Sequence, residues 1–90
     1  MQLRITRQFA DDFKQCRDPL LQEKCKTLLK ALKMAQNPKE MEQCKAVYGN
    51  DRAYKIGIGF YYVIGYLSES GVFTLMRWVQ RDQILEMYRK

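Results

Sequence analysis

The stretch Tyr54-Lys55-Ile56-Gly57-Ile58-Gly59-Phe60-Tyr61-Tyr62-Val63-Ile64-Gly65-Tyr66-Leu67 decides the fold. Its opening alternates. Tyr54, Ile56 and Ile58 point one way and Lys55 and Gly57 the other, which is the period of a half-buried strand. Gly59 supplies a turn. Phe60 to Leu67 is apolar or aromatic on both faces, as a central strand requires. Downstream, Ser68-Glu69-Ser70-Gly71 reads as a hairpin loop. Val72 to Val79 makes the next strand, with Phe73, Leu75, Arg77 and Val79 expected on one face. Asp82 is placed to cap a last short helix, with Ile84, Leu85 and Tyr88 inward and Arg89 and Lys90 at its negative end.

Upstream the periodicity becomes helical. Leu3 and Ile5 alternate with Arg4 in a short strand over residues 2–6. Thr6 then caps a helix whose Phe9, Phe13 and Cys16 share a face, with Asp11 and Asp12 near its positive end. Asp18-Pro19 starts a second helix, since proline at the first helical position gives up no hydrogen bond. Leu21, Cys25, Leu28, Leu32 and Ala35 form its apolar stripe. Lys24, Lys26, Lys30 and Lys33 lie largely off that stripe, as a solvated face. Asn37-Pro38 ends the helix, and Asn37, Pro38 and Glu40 start one more helical turn with Met41 and Cys44 inward. Gly49-Asn50-Asp51 reads as a turn.

The order is therefore β-α-α-β-β-β-α. It predicts an α+β two-layer sandwich, an N-terminal helical hairpin packed on a small antiparallel sheet, with the other sheet face free for a partner. Ninety residues make one domain, 1–90. The longest uncharged run, Ile56 to Ser68, holds three glycines and is too short to span a bilayer. No membrane partner is expected. Without a basic stretch followed by an apolar block at the N-terminus, the expected address is the cytoplasm.

The net charge is +6, from 16 Lys and Arg against 10 Asp and Glu, and it is spread evenly at +3 in each half. Such an excess favours an anionic partner. Three cysteines without CxxC spacing (Cys16, Cys25 and Cys44) and no histidine argue against a disulfide framework and a zinc site. No metal or cofactor is expected. Zero histidine also excludes Ser-His-Asp and Cys-His catalysis.

Four strings in order resemble the RelE/ParE superfamily, the toxins of bacterial type II toxin–antitoxin pairs. Arg4-Ile5-Thr6-Arg7-Gln8-Phe9 followed by Asp12-Phe13-Lys14 is similar to the family's start. Tyr54-Lys55-Ile56-Gly57-Ile58-Gly59 resembles its "YRIRIG" strand, and Tyr61-Tyr62-Val63-Ile64 falls where the family has "YRIG" or "YRVI". Leu75-Met76-Arg77-Trp78-Val79-Gln80-Arg81 resembles "LMRFLHR".

The resemblance implies one of two activities. RelE-type members are ribosome-dependent messenger-RNA endonucleases that work by attack of the ribose 2′-hydroxyl on the adjacent phosphate. ParE-type members inhibit DNA gyrase without catalytic residues. A third reading is a degenerate, non-toxic protein-binding member. Both active kinds imply a cognate antitoxin that wraps the toxin. A 2′-hydroxyl attack needs a base for that proton, cations for the phosphoryl oxygens, and an acid or cation at the leaving 5′-oxygen. Lysine, arginine and tyrosine supply these without histidine.

Carried over residue by residue, the resemblance implies Lys55 for charge stabilisation or as base and Arg81 at the phosphate or leaving group. Tyr88 would stack on a base or move a proton. It departs from the "HRKDIYR" form, where the tyrosine follows the arginine by four residues and Leu85 stands here. Arg77 matches the "MRF" arginine, as an RNA contact or a structural ion pair. Three positions depart from the pattern: Tyr62 replaces an arginine, Gly57 a second basic residue and Gln80 a histidine. Tyr62 could stack on a nucleobase, Gln80 would be a weaker RNA contact, and Arg52 restores part of the lost charge. The aromatics Phe60, Tyr61, Tyr62, Tyr66, Phe73 and Trp78 read chiefly as core. Those on the open face would mark an antitoxin or homodimer interface.

Overall fold

Thr6 separates the first strand from the first helix. Strand β1 (Gln2–Ile5) ends where the Thr6 hydroxyl accepts the Phe9 N–H at 3.1 Å, opening helix α1 (Arg7–Gln15). The same hydroxyl donates to the Leu75 carbonyl at 2.9 Å, tying the cap to the sheet. Asp18 caps helix α2 (Pro19–Met34) by accepting from the N–H groups of Leu20 and Leu21, at 3.0 and 3.4 Å. The expected extra turn is a 3-10 helix, Pro38–Glu40, with a capping box between Asn37 and Glu40. These details come from a computed structural model that describes residues 1–47 and 49–83. The expected last helix begins at residues 81–83, and its inner residues Ile84, Leu85 and Tyr88 lie outside the described residues. No described helix is long and apolar enough to cross a membrane.

Strands β2 (Cys44–Val47), β3 (Asn50–Ile58), β4 (Tyr61–Leu67) and β5 (Val72–Gln80) join β1 in one sheet of order β1-β5-β4-β3-β2. Three features correct the sequence reading. The sheet is mixed, because β1 runs parallel to β5. Tight hairpins enforce antiparallel pairing only between consecutive strands, and β1 and β5 are joined by no hairpin. Strand β2 appears where only a helical turn and loop were expected, and β3 starts at Asn50 rather than Tyr54. Gly49, at φ 81°, turns the chain between them.

The third correction is a bulge in β5. Ile64 pairs with Arg77 but Gly65 pairs with Leu75, so Met76 is the extra residue. The bulge shifts the alternation by one. Trp78, not Val79, joins Phe73 and Leu75 in the core, while Val79 packs with Ile64 and Tyr62 in a separate small cluster.

The main core lies between the helices and one sheet face. Phe9, Cys16, Cys25 and Leu32 come from or flank the helices, and Tyr54, Ile56, Val63, Phe73, Leu75 and Trp78 come from the sheet. Each large side chain buried there contributes roughly 1.5–3 kcal/mol. Phe73 lies so close over Gly65 that a Cβ on that glycine would overlap its ring. Phe60 and Tyr66 leave the expected aromatic core. Phe60 is 82% exposed at the β3–β4 turn, and Tyr66 is also exposed. The four lysines of α2 lie exposed, as expected.

Candidate functional site

The face of the sheet away from the helices gathers positive charge. Lys55 alternates with the buried Tyr54 and Ile56, so it points to that open face. Lys45 stands directly opposite it on β2. Tyr62 stands opposite Gly57 on β4. The Lys55 Nζ lies 5.2 Å from the centre of the Tyr62 ring, and the Arg81 guanidinium carbon lies 5.1 Å from the same centre. Both are within cation–π range.

Two backbone features hold Arg81 there. Its own N–H donates to the Phe60 carbonyl at 2.7 Å, which pins the end of β5 to the β3–β4 turn. Gly57 leaves the space beneath it. A Cβ at that position would lie 3.3 Å from an Arg81 nitrogen and 3.5 Å from the Tyr62 ring. Among the described residues, no carboxylate lies within ion-pair distance of Lys55 or Arg81. Two cations held over one aromatic ring, with no counter-charge among the described residues, suit an anionic ligand that carries a planar group.

No protein-family model and no curated protein matches the chain. A solved structure does. One chain of the RelB-RelE antitoxin-toxin complex from Methanococcus jannaschii superposes over 94% of this chain and 98% of its own, with a TM-score of 0.78 and 16% identity. The fold is RelE-like.

Within this RelE-like fold, Lys55, Tyr62 and Arg81 come together from β3, β4 and the end of β5. The other expected residues do not join them. Arg77 donates through Nε to Asp12 at 2.7 Å and through a second nitrogen at 3.3 Å, in a structural ion pair with α1. Asp12 also accepts from the Trp78 N–H at 3.0 Å and from Gln8. Partial burial alone would raise the Asp12 carboxyl. The hydrogen bonds from Arg77, Trp78 and Gln8 outweigh it and hold the group below the ordinary carboxylate value. Gln80 donates to the Tyr61 hydroxyl at 3.3 Å, between two clefts of about 230 and 260 Å³. Arg52 pairs with Glu69 at 3.6 Å, three positions along β3 from Lys55. Tyr88 lies outside the described residues.

Sequence reasoning missed Lys45 and Phe60 as site neighbours. Lys45 carries no signal in the sequence, because β2 owes its state to pairing with β3. Phe60 was absorbed into an apolar run, although its place directly after Gly59 marked it as a turn residue. The thiols sit apart from the open face. Cys16 and Cys25 are buried and Cys44 half-buried, and burial pushes the Cys25 thiol up to about 12.

Proposed function

We propose that the chain is the toxin of a type II toxin–antitoxin pair and cuts messenger RNA on the ribosome. One observation carries the proposal: Lys55 and Arg81 converge on Tyr62 with no described carboxylate to neutralise them. The RelE-like fold supports the same reading, as does the +6 charge.

The chemistry fits the residues present. The 2′-oxygen attacks phosphorus as its proton passes to a base, the bond to the 5′-oxygen breaks, that oxygen takes up a proton from water, and a 2′,3′-cyclic phosphate is left. Arg81 offers two donors to the phosphoryl oxygens in a fork that a lysine cannot match. Lys55 adds a second positive charge, or takes the 2′-hydroxyl proton in its neutral form. Tyr62 gives a flat surface for a base. Arg77, held by Asp12, has a structural task in this scheme. The partners are an antitoxin, the ribosome and messenger RNA.

Inducible expression in a bacterial host, with primer extension on a reporter message, tests this. Growth arrest with new 5′ ends at codon-phased positions is the expected result. Arrest without cleavage would move the reading to a gyrase-directed or other protein-binding toxin. Absence of arrest from soluble, folded chain would point to a degenerate member.

A further inference from the structure

Beside the cationic cluster lies a second feature that the proposed cleavage does not use. Phe60, at the β3–β4 turn, is 82% exposed, while the neighbouring Tyr61 is stacked on Trp78 at 4.9 Å in the core. Gly59, at φ 56°, makes the turn, and its Cα faces Leu21 of α2 closely enough that a Cβ would lie 3.4 Å from that side chain. Leu21, Phe60, Tyr61, Gln80, Arg81 and Asp82 line a cleft of about 260 Å³ there. Arg81 belongs both to this cleft and to the cluster over Tyr62.

We propose that this cleft is a subsite for one unpaired nucleobase of the RNA, with Phe60 as its stacking wall. The proposal rests on the RNA-cleaving reading above and adds where a base beside the bound phosphate sits. Three arguments favour a base. An exposed aromatic ring beside the Arg81 guanidinium is the pairing that single-stranded nucleic acid binds, ring to base and cation to phosphate. The volume is below the roughly 300–1,000 Å³ of pockets that take larger ligands, so it suits one planar ring. The Asp82 carboxylate would repel a phosphate, but it accepts hydrogen bonds from an exocyclic amino group. The subsite therefore prefers a base with an exocyclic amino group (adenine, cytosine or guanine) over uracil.

The test is fluorescence anisotropy with labelled octamers of oligo(A), oligo(C) and oligo(U), titrated with the purified chain across a salt series. Phe60→Ala is expected to weaken oligo(A) and oligo(C) binding about tenfold, within the range measured for loss of one base–aromatic stack, and to leave the salt slope unchanged. Phe60→Trp is expected to restore the affinity. Asp82→Asn is expected to narrow the preference over oligo(U). Arg81→Ala instead lowers the salt slope by about one, because a phosphate contact is lost. Phe60 is exposed, so its variants should melt with the unmodified chain. If Phe60→Ala binds like the unmodified chain while Arg81→Ala does not, the subsite is wrong and the RNA reading survives. If the unmodified chain binds none of the octamers, the subsite is wrong while the ribosome-dependent reading stands on its own primer-extension test; if Arg81→Ala leaves octamer binding unchanged, both fall.

Discussion

The Asp12 carboxylate takes the place of a missing strand beside the Trp78 N–H. Strand β1 pairs with β5 only from Val72 to Leu75. Beyond it, the edge of β5 would present unpaired amides to α1. Asp12, reaching from α1, accepts the Trp78 N–H at 3.0 Å and closes an ion pair with Arg77 at 2.7 Å. The Asp12 side chain is 10% exposed and the Arg77 side chain 35%. One helix residue thus satisfies the edge, neutralises an arginine and fixes α1 to the sheet just past the bulge.

Asp12→Ala should therefore destabilise the chain by about 2–3 kcal/mol, the scale of hydrogen bonds to a charged group whose partners are left unpaired. Arg77→Ala should cost less, because its side chain is the more exposed partner. Chemical denaturation checks both. Neither substitution touches Lys55, Tyr62 or Arg81.

Asp12 also gives the stability a pH dependence of definite sign. Its folded value lies below the ordinary 3.8. The stabilisation is complete above the unfolded value and is lost as pH falls through the lower folded value. Denaturant midpoints measured from pH 6 downward should fall less steeply below about pH 4 in Asp12→Asn than in the unmodified chain.

Arg81→Ala and Lys55→Ala should abolish growth arrest while shifting stability by no more than about 0.5 kcal/mol, as for surface positions without buried partners. Growth assays paired with thermal melts separate the two effects. A large loss of melting temperature in either variant would make that residue structural.

Lys45 and Lys55 face each other across β2 and β3. Like charges placed this way oppose pairing. Lys45→Glu should thus stabilise the fold by about 0.2–1 kcal/mol and weaken RNA binding. A variant that is both more stable and equally active would show that Lys45 plays no part in the site.

Gly65→Ala should cost about 1–3 kcal/mol, the usual penalty of overpacking, since its Cβ would meet the Phe73 ring. Adding Phe73→Leu should recover part of that loss. The comparison is a double-mutant cycle on melting curves.

Local signals carried most of the elements. Thr6, Asp18 and Asn37 mark helix starts through hydrogen bonds made within three residues, and Pro19 through a ring that fits the first helical position without an N–H, so each is legible from neighbours in sequence. The alternation of Tyr54, Ile56 and Ile58 placed Lys55 on the open face for the same reason. Strand β2 was not legible, because Cys44–Val47 is short, lies at the sheet edge and owes its state to pairing with β3. The bulge at Met76 was not legible either. It depends on how β4 and β5 register, and it moved Trp78 into the core and Val79 out of it.

The sequence by itself determined the helical hairpin, the run of strands after it and the charge excess, and it nominated Lys55 and Arg81 as candidates. These follow from composition, capping and periodicity, or from the strings that resemble RelE, all of which act or are read over a few residues. Tertiary structure alone decided that Arg77 is held by Asp12, that Tyr62 lies between Lys55 and Arg81, and that Phe60 stands exposed beside them. Each of those relations joins residues far apart in the chain or hangs on register and turn geometry, and only the folded sheet brings the partners within reach of one another.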